Sequence, residues 1–199
     1  MENVIIHCEN VRLEGVLNPN SSEKGVVVTH PHPLYGGNMD NPVVEQVVQG
    51  YFEKGFTTLR FNFRGTGKSS GMFDNGVGEL DDVRAALAFL KESGVNDLSL
   101  AGYSFGARMN ASVVSSGYEL KDHVMVSPPM GFMSFDDVTA MPSTGLILTG
   151  AKDDIAPQEL VQAAIDRWQI NPQFKVLEGC DHFYTDCLSR LKSLLLNRC

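Results

Sequence analysis

Gly102-Tyr103-Ser104-Phe105-Gly106 is the segment of this chain best suited to covalent chemistry. A serine hydroxyl is a poor nucleophile until a neighbouring base takes its proton. The segment reads G-x-S-x-G, between the apolar run Leu98-Ser99-Leu100-Ala101 and a helix-compatible run beginning Ala107-Arg108-Met109. A buried strand, a sharp turn and a helix, in that order, put the serine at the apex of a nucleophile elbow. Strand and helix pass close together two residues before and two after the serine, so both places need small residues. Gly102 and Gly106 stand there.

Such a serine needs a histidine as base and a carboxylate to orient that histidine. Leu146-Ile147-Leu148-Thr149-Gly150 reads as a short buried strand, and Asp153 and Asp154 follow it in a loop that runs to Pro157. Phe174-Lys175-Val176-Leu177 reads as another strand, and His182 follows after a turn. The chain order is therefore Ser, Asp, His, unlike the orders of chymotrypsin and subtilisin. All three groups fall just past the carboxyl ends of predicted strands, the edge where open α/β sheets build their sites.

The elements that must position these residues alternate. Val4–Cys8 and Val11–Leu17 read as an opening β-hairpin, and Gly25–Thr29 as a β-branched strand buried on both faces. Pro42 can open a helix whose apolar face is Val43, Val44, Val47, Val48 and Tyr51, ended by Gly55. A strand over Thr57–Phe63 and an amphipathic helix over Glu79–Ser93, stopped at Gly94, come next. After the elbow come a strand over Val124–Ser127, the strand into Asp153, a helix over Pro157–Trp168, the strand before His182, and a closing helix over Tyr184–Leu196. This alternation predicts a mostly parallel, doubly wound α/β sheet flanked by helices. Met130–Ser143 has room for a loop only, so the expectation is one domain over residues 1–199, without a cap, and with an open site.

At 199 residues, with 43% hydrophobic and 20% charged residues, the composition is that of a globular protein with a sizeable core. The net charge of −8 disfavours general nucleic-acid or anionic-membrane binding. Met1-Glu2-Asn3 is not a basic leader, and no run is long and apolar enough to span a bilayer, so a cytoplasmic location is expected. Cys8, Cys180, Cys187 and Cys199 lack paired metal-ligand spacing and read as free thiols of a reducing compartment, Cys180 as a packed thiol near His182. His30 and His32 form an H-x-H pair, but no third ligand has a clear place, so no metal is expected. Arg64–Ser69 lacks the spacing of a phosphate loop and reads as a glycine-rich turn, with Arg64 facing a carboxylate such as Glu79 or Asp82.

Two further segments are more specific than the elbow. They are His30-Pro31-His32-Pro33-Leu34-Tyr35-Gly36-Gly37-Asn38-Met39-Asp40-Asn41, and Asn62-Phe63-Arg64-Gly65-Thr66-Gly67-Lys68-Ser69 followed by Gly78-Glu79-Leu80-Asp81-Asp82. With the elbow, they make the whole chain resemble the α/β-hydrolase superfamily, and within it the small, cap-less bacterial hydrolases related to dienelactone hydrolases. Dienelactone hydrolases proper carry a cysteine nucleophile, whereas this chain has Ser104, so their particular reaction is not implied.

The resemblance implies a hydrolase without fixing its substrate; with the serine, aspartate and histidine in place, the expectation is a serine hydrolase that cleaves small acyl esters or thioesters through an acyl-enzyme, with no cofactor. Its acid pattern G-x-x-D-x-x-x-P, anchored by Gly150 and Pro157, selects Asp153 over Asp154. The oxyanion hole would take one backbone N–H from Phe105 and one from the loop after Val28. Pro31 and Pro33 cannot donate, and the superfamily pattern favours His32, with Leu34 second. Two other readings stand beside this one. A peptidase of the same superfamily usually bears an extra domain, and a binding scaffold would have lost members of the triad.

Overall fold

The structure is a computed structural model that describes residues 1–197. Its strands and helices are β1 (Glu2–Cys8), β2 (Val11–Asn18), β3 (Lys24–Thr29), α1 (Pro42–Glu53), β4 (Thr57–Phe61), α2 (Gly78–Glu92), β5 (Asp97–Tyr103), α3 (Phe105–Ser115), β6 (Asp122–Val126), β7 (Thr144–Gly150), α4 (Gln158–Trp168), β8 (Gln173–Leu177) and α5 (Leu188–Leu196). The strands form one eight-stranded sheet in the order β1-β2-β4-β3-β5-β6-β7-β8. β2 pairs antiparallel with both β1 and β4, and every other pairing is parallel. This is the α/β-hydrolase fold, with the expected N-terminal hairpin as its first two strands.

Alternation along the central strands sends apolar side chains to two separate cores. Val27, Leu59 and Leu100 join one with Leu87 and Leu90 of α2, Val113 of α3 and Trp168 of α4. Val26, Val28 and Val124 join the other with Val44 and Val47 of α1 and Leu191 of α5. Parallel strands covered on both faces read as continuous β-branched runs, which is how β3 looks in the sequence. Asn41 caps α1 through its side chain, which accepts from the Val43 N–H at 2.9 Å, with Pro42 in the first turn. Both are favoured at a helix start.

The closing helix begins later than its periodicity suggests. Tyr184 (φ 56°) and Asp186 (φ 58°) are left-handed, which ends any helix at those residues, and α5 starts only at Leu188. Between β6 and β7 the chain forms no helix or strand long enough to make a cap. Among the described residues no helix is long and apolar enough to cross a membrane.

Cys180 and Cys187 are joined by a disulfide, contrary to the free thiols expected. Nothing in their spacing announces it. The turn after β8 brings their Cα atoms to 5.9 Å, within the range a disulfide spans. Cys8 is free and buried, and burial, followed by the charge of Asp82, pushes its thiol up to about 11. Cys199 lies outside the described residues.

Candidate active site

Ser104 sits between β5 and α3 with φ 54° and ψ −117°, a strained conformation for a residue with a side chain. The flanking glycines explain how the turn is accommodated. A Cβ on Gly102 would lie 2.5 Å from Asn110 Nδ2 and 2.6 Å from Thr29 Oγ1, and one on Gly106 would lie 2.5 Å from Thr29 Oγ1. Thr29 is itself fixed, because its hydroxyl donates to Asn110 Oδ1 at 3.1 Å and so ties β3 to α3.

His182 lies beyond β8 and reaches Ser104. Its Nε2 is 3.0 Å from Ser104 Oγ, and its Nδ1 is 2.9 Å and 3.0 Å from the two oxygens of Asp153. With Nδ1–H donating to the carboxylate, Nε2 is left to accept the serine proton. Asp153 is buried, and its Oδ1 also accepts the N–H groups of Ile155 at 3.0 Å and Ala156 at 2.7 Å. Burial alone would raise this carboxyl. The hydrogen bond and charge of His182, with help from Ser127 and Ala156, outweigh it and hold Asp153 below the usual carboxylate range. Asp154, by contrast, is exposed.

The loop after β3 makes a 3₁₀ turn over Pro33–Tyr35 and closes against Ser104. Buried His30 anchors it. His30 Nε2 accepts the Phe63 N–H at 3.0 Å and Nδ1–H donates to the Pro31 carbonyl at 2.6 Å, which fixes the neutral tautomer. Burial pushes His30 down to about 4 against the raising effect of that carbonyl. Both ring nitrogens are thereby used within the protein, and His30 has no lone pair left for a metal. The Leu34 N–H is spent on His32 Nδ1 at 3.2 Å. No acceptor among the described residues takes the N–H of His32 or of Phe105.

Several supports of this arrangement are not readable from motifs. The Tyr103 hydroxyl donates to the carbonyl of His182 at 2.9 Å, and the hydroxyls of Tyr184 and Ser127 meet at 2.8 Å beneath it. Thr149 Oγ1 is 3.3 Å from Asp153 Oδ2. The Cys180–Cys187 bond brackets the segment that carries His182. Tyr103 lies inside the elbow motif, but its partner is 79 residues away, so spacing gives no clue to the contact.

Of the carboxylates that could face Arg64, the structure selects Asp82. Arg64 Nη2 lies 2.7 Å from Asp82 Oδ1, with Nε 3.0 Å from the same oxygen. Glu79 instead accepts the N–H groups of Asp74 and Gly76, both at 2.8 Å, and shapes the turn into α2. The glycine-rich segment is thus a structural turn.

A cleft of about 520 Å³ opens over Ser104 and His182, walled by Tyr35, Phe132, Met133 and Phe183. Among the described residues, no group of three or more His, Cys, Asp or Glu is placed to hold a metal ion.

No protein-family model matches the chain. An uncharacterized protein of Rickettsia prowazekii is 37% identical over 185 residues, which span 87% of this chain and 78% of that one. An α/β serine hydrolase homologue from Coxiella burnetii is 36% identical, covers 98% of this chain and 95% of its own, and superposes with a TM-score of 0.90. A Xanthomonas campestris α/β serine hydrolase without a lid is 28% identical, with 98% and 91% coverage and a TM-score of 0.85. With this fold, an uncapped site and relatives of that similarity along nearly its whole length, the chain belongs to the α/β serine hydrolases, among those that carry no lid.

Proposed function

We propose that the chain, as one hydrolase domain over residues 1–199, cleaves carboxylic esters or thioesters of small acids through an acyl-enzyme on Ser104. The observation that carries this reading is the unbroken line Ser104 Oγ to His182 Nε2 at 3.0 Å and His182 Nδ1 to Asp153 at 2.9 Å. Ser104 Oγ attacks the acyl carbon while its proton passes to His182 Nε2. Asp153 stabilises the imidazolium that forms and does not itself take the proton.

The oxyanion of the tetrahedral intermediate is held by the backbone N–H groups of Phe105 and His32. Leu34 is the weaker candidate, since its N–H already donates to His32 Nδ1. The C–O or C–S bond then breaks, and His182 returns the proton to the leaving alcohol or thiol. Water repeats the cycle, and the acid leaves. Each step is complete without a cofactor. Small-molecule substrate is the only partner the reading requires.

A protein kept only as a binding scaffold has no need of a buried carboxylate–histidine–serine line. A peptidase would call for a domain to position peptide, and the loop between β6 and β7 supplies none. The test is turnover of short-chain activated esters and thioesters by the wild type and by Ser104→Ala. Wild-type turnover that disappears in Ser104→Ala supports the reading, and equal turnover by both sinks it.

A further inference from the structure

The walls of the cleft carry information about the substrate that the reaction does not. Among the described residues, no Asp, Glu, Lys or Arg lines it. Its polar side chains are Ser104, His182, His32, Asn41, Tyr35 and Tyr103, all of them except Ser104 and His182 outside the proton-transfer line. Asp153 lies directly behind His182 and its charge, like that of Asp181 acting on Tyr103, is negative. A carboxylate in the acyl part would lose its water here, meet no cation, and sit near that carboxylate.

What the cleft offers instead is rings. The His32 imidazole lies 4.8 Å from Tyr35, 4.8 Å from Phe105 and 5.0 Å from Phe73, measured between centroids. Tyr35 and Phe132 meet edge to face at 5.9 Å across the mouth, yet they remain 74% and 57% exposed. Large apolar side chains left that open, on two separate loops beside the buried Phe105 and the half-buried His32, are arranged to take up another flat apolar group. Burial lowers the basicity of His32, and its Nδ1 already accepts the Leu34 N–H. Around the attacked carbon, the leaving group must lie toward His182 Nε2, which protonates it. Phe183 packs on His182 at 5.6 Å, whereas Tyr35 and Phe132 lie against His32 at 4.8 Å and 6.5 Å, so the Tyr35–Phe132 pair falls away from the leaving group and faces the acyl group.

We infer that the acyl group is uncharged and aromatic, and that Tyr35 and Phe132 determine this specificity by closing on its ring. The inference rests on Ser104 being the nucleophile. Its test uses esters of one leaving group, 4-nitrophenol, with 3-phenylpropanoyl, hexanoyl and adipoyl acyl groups. All three put a CH₂ next to the carbonyl, and the adipoyl carboxylate is too far along the chain for ready ring closure on the ester, so intrinsic reactivity is nearly matched.

The expected kcat/KM order is phenylpropanoyl, then hexanoyl, then adipoyl, with phenylpropanoyl about tenfold above hexanoyl. Tyr35→Ala and Phe132→Ala should each cut the phenylpropanoyl-to-hexanoyl ratio by roughly threefold to tenfold, the size of an aromatic pair contact. Phe52→Ala, an exposed ring away from the cleft, should leave that ratio unchanged. Labelling by a fluorophosphonate is followed in parallel. A labelled enzyme that prefers adipoyl or hexanoyl, or whose ratio ignores Tyr35→Ala and Phe132→Ala, overturns this inference alone. An enzyme that neither labels nor turns over any of the esters overturns the nucleophile reading and this inference with it.

Discussion

Tyr103 holds the backbone of His182: its hydroxyl donates to the His182 carbonyl at 2.9 Å, in the buried space beneath the cleft. The residue next to Ser104 in sequence thus secures the residue that Ser104 contacts across the fold. Burial, with the nearby Asp153 and Asp181 charges, raises the Tyr103 hydroxyl above its ordinary range, so it stays a donor. Tyr103→Phe leaves a buried carbonyl unpaired, and should cost about 1–3 kcal/mol of stability. Turnover should drop on the order of tenfold through kcat, with KM little changed, because the base is misplaced and not lost. Denaturant unfolding with steady-state kinetics checks both. Unchanged kcat would mean that the contact does not position His182.

Asp153 and Asp154 are neighbours with opposite surroundings. Asp153→Asn keeps the shape but cannot hold the imidazolium, and kcat should fall by about 10⁴-fold. Asp154 is exposed, and stability of Asp154→Asn should stay within about 0.5 kcal/mol of wild type with turnover retained. Because the folded Asp153 carboxyl lies below its ordinary value, its contribution to stability is complete above pH 3.8 and is lost as pH falls below that through the folded value. Unfolding curves of Asp153→Asn should therefore lack that acid-limb loss.

His30 acts at higher pH. Its folded value of about 4 lies below the ordinary 6.5, so protonation favours the unfolded chain. Its stabilisation is whole above pH 6.5 and falls as pH drops toward 4, by about 3 kcal/mol at most over that window. Urea unfolding at several pH values should show the slope in the wild type and a flatter one in His30→Gln. Equal slopes would exclude His30 as the source.

The Cys180–Cys187 bond closes a short loop around His182. A link across 7 residues should contribute about 2 kcal/mol. Reduction with dithiothreitol should lower the wild-type Tm by roughly 4–8 °C and leave Cys180→Ala/Cys187→Ala unmoved. A wild-type Tm that ignores reductant would place these cysteines as thiols.

Much of this architecture is written in local signals. The run Val26-Val27-Val28 declares a strand buried on both faces, Asn41-Pro42 a helix start, and Gly102 and Gly106 a crossing too close for any Cβ. What stayed hidden depends on long-range geometry. The disulfide rests on a turn that brings two cysteines together, and the late start of α5 on left-handed Tyr184 and Asp186, residues whose types favour neither helix nor break strongly. The choice of Asp82 over Glu79 by Arg64 depends on which carboxylate the turn before α2 consumes. The ring-lined cleft joins residues from the loops after β3 and β6, and no sequence window contains them together.

The most direct test of the account is where a fluorophosphonate attaches. Peptide mapping of the labelled wild type should find one modified residue, Ser104, with labelling abolished in Ser104→Ala and strongly slowed in His182→Ala. A label on another residue, or undiminished labelling of Ser104→Ala, would contradict the assignment of Ser104 as the nucleophile.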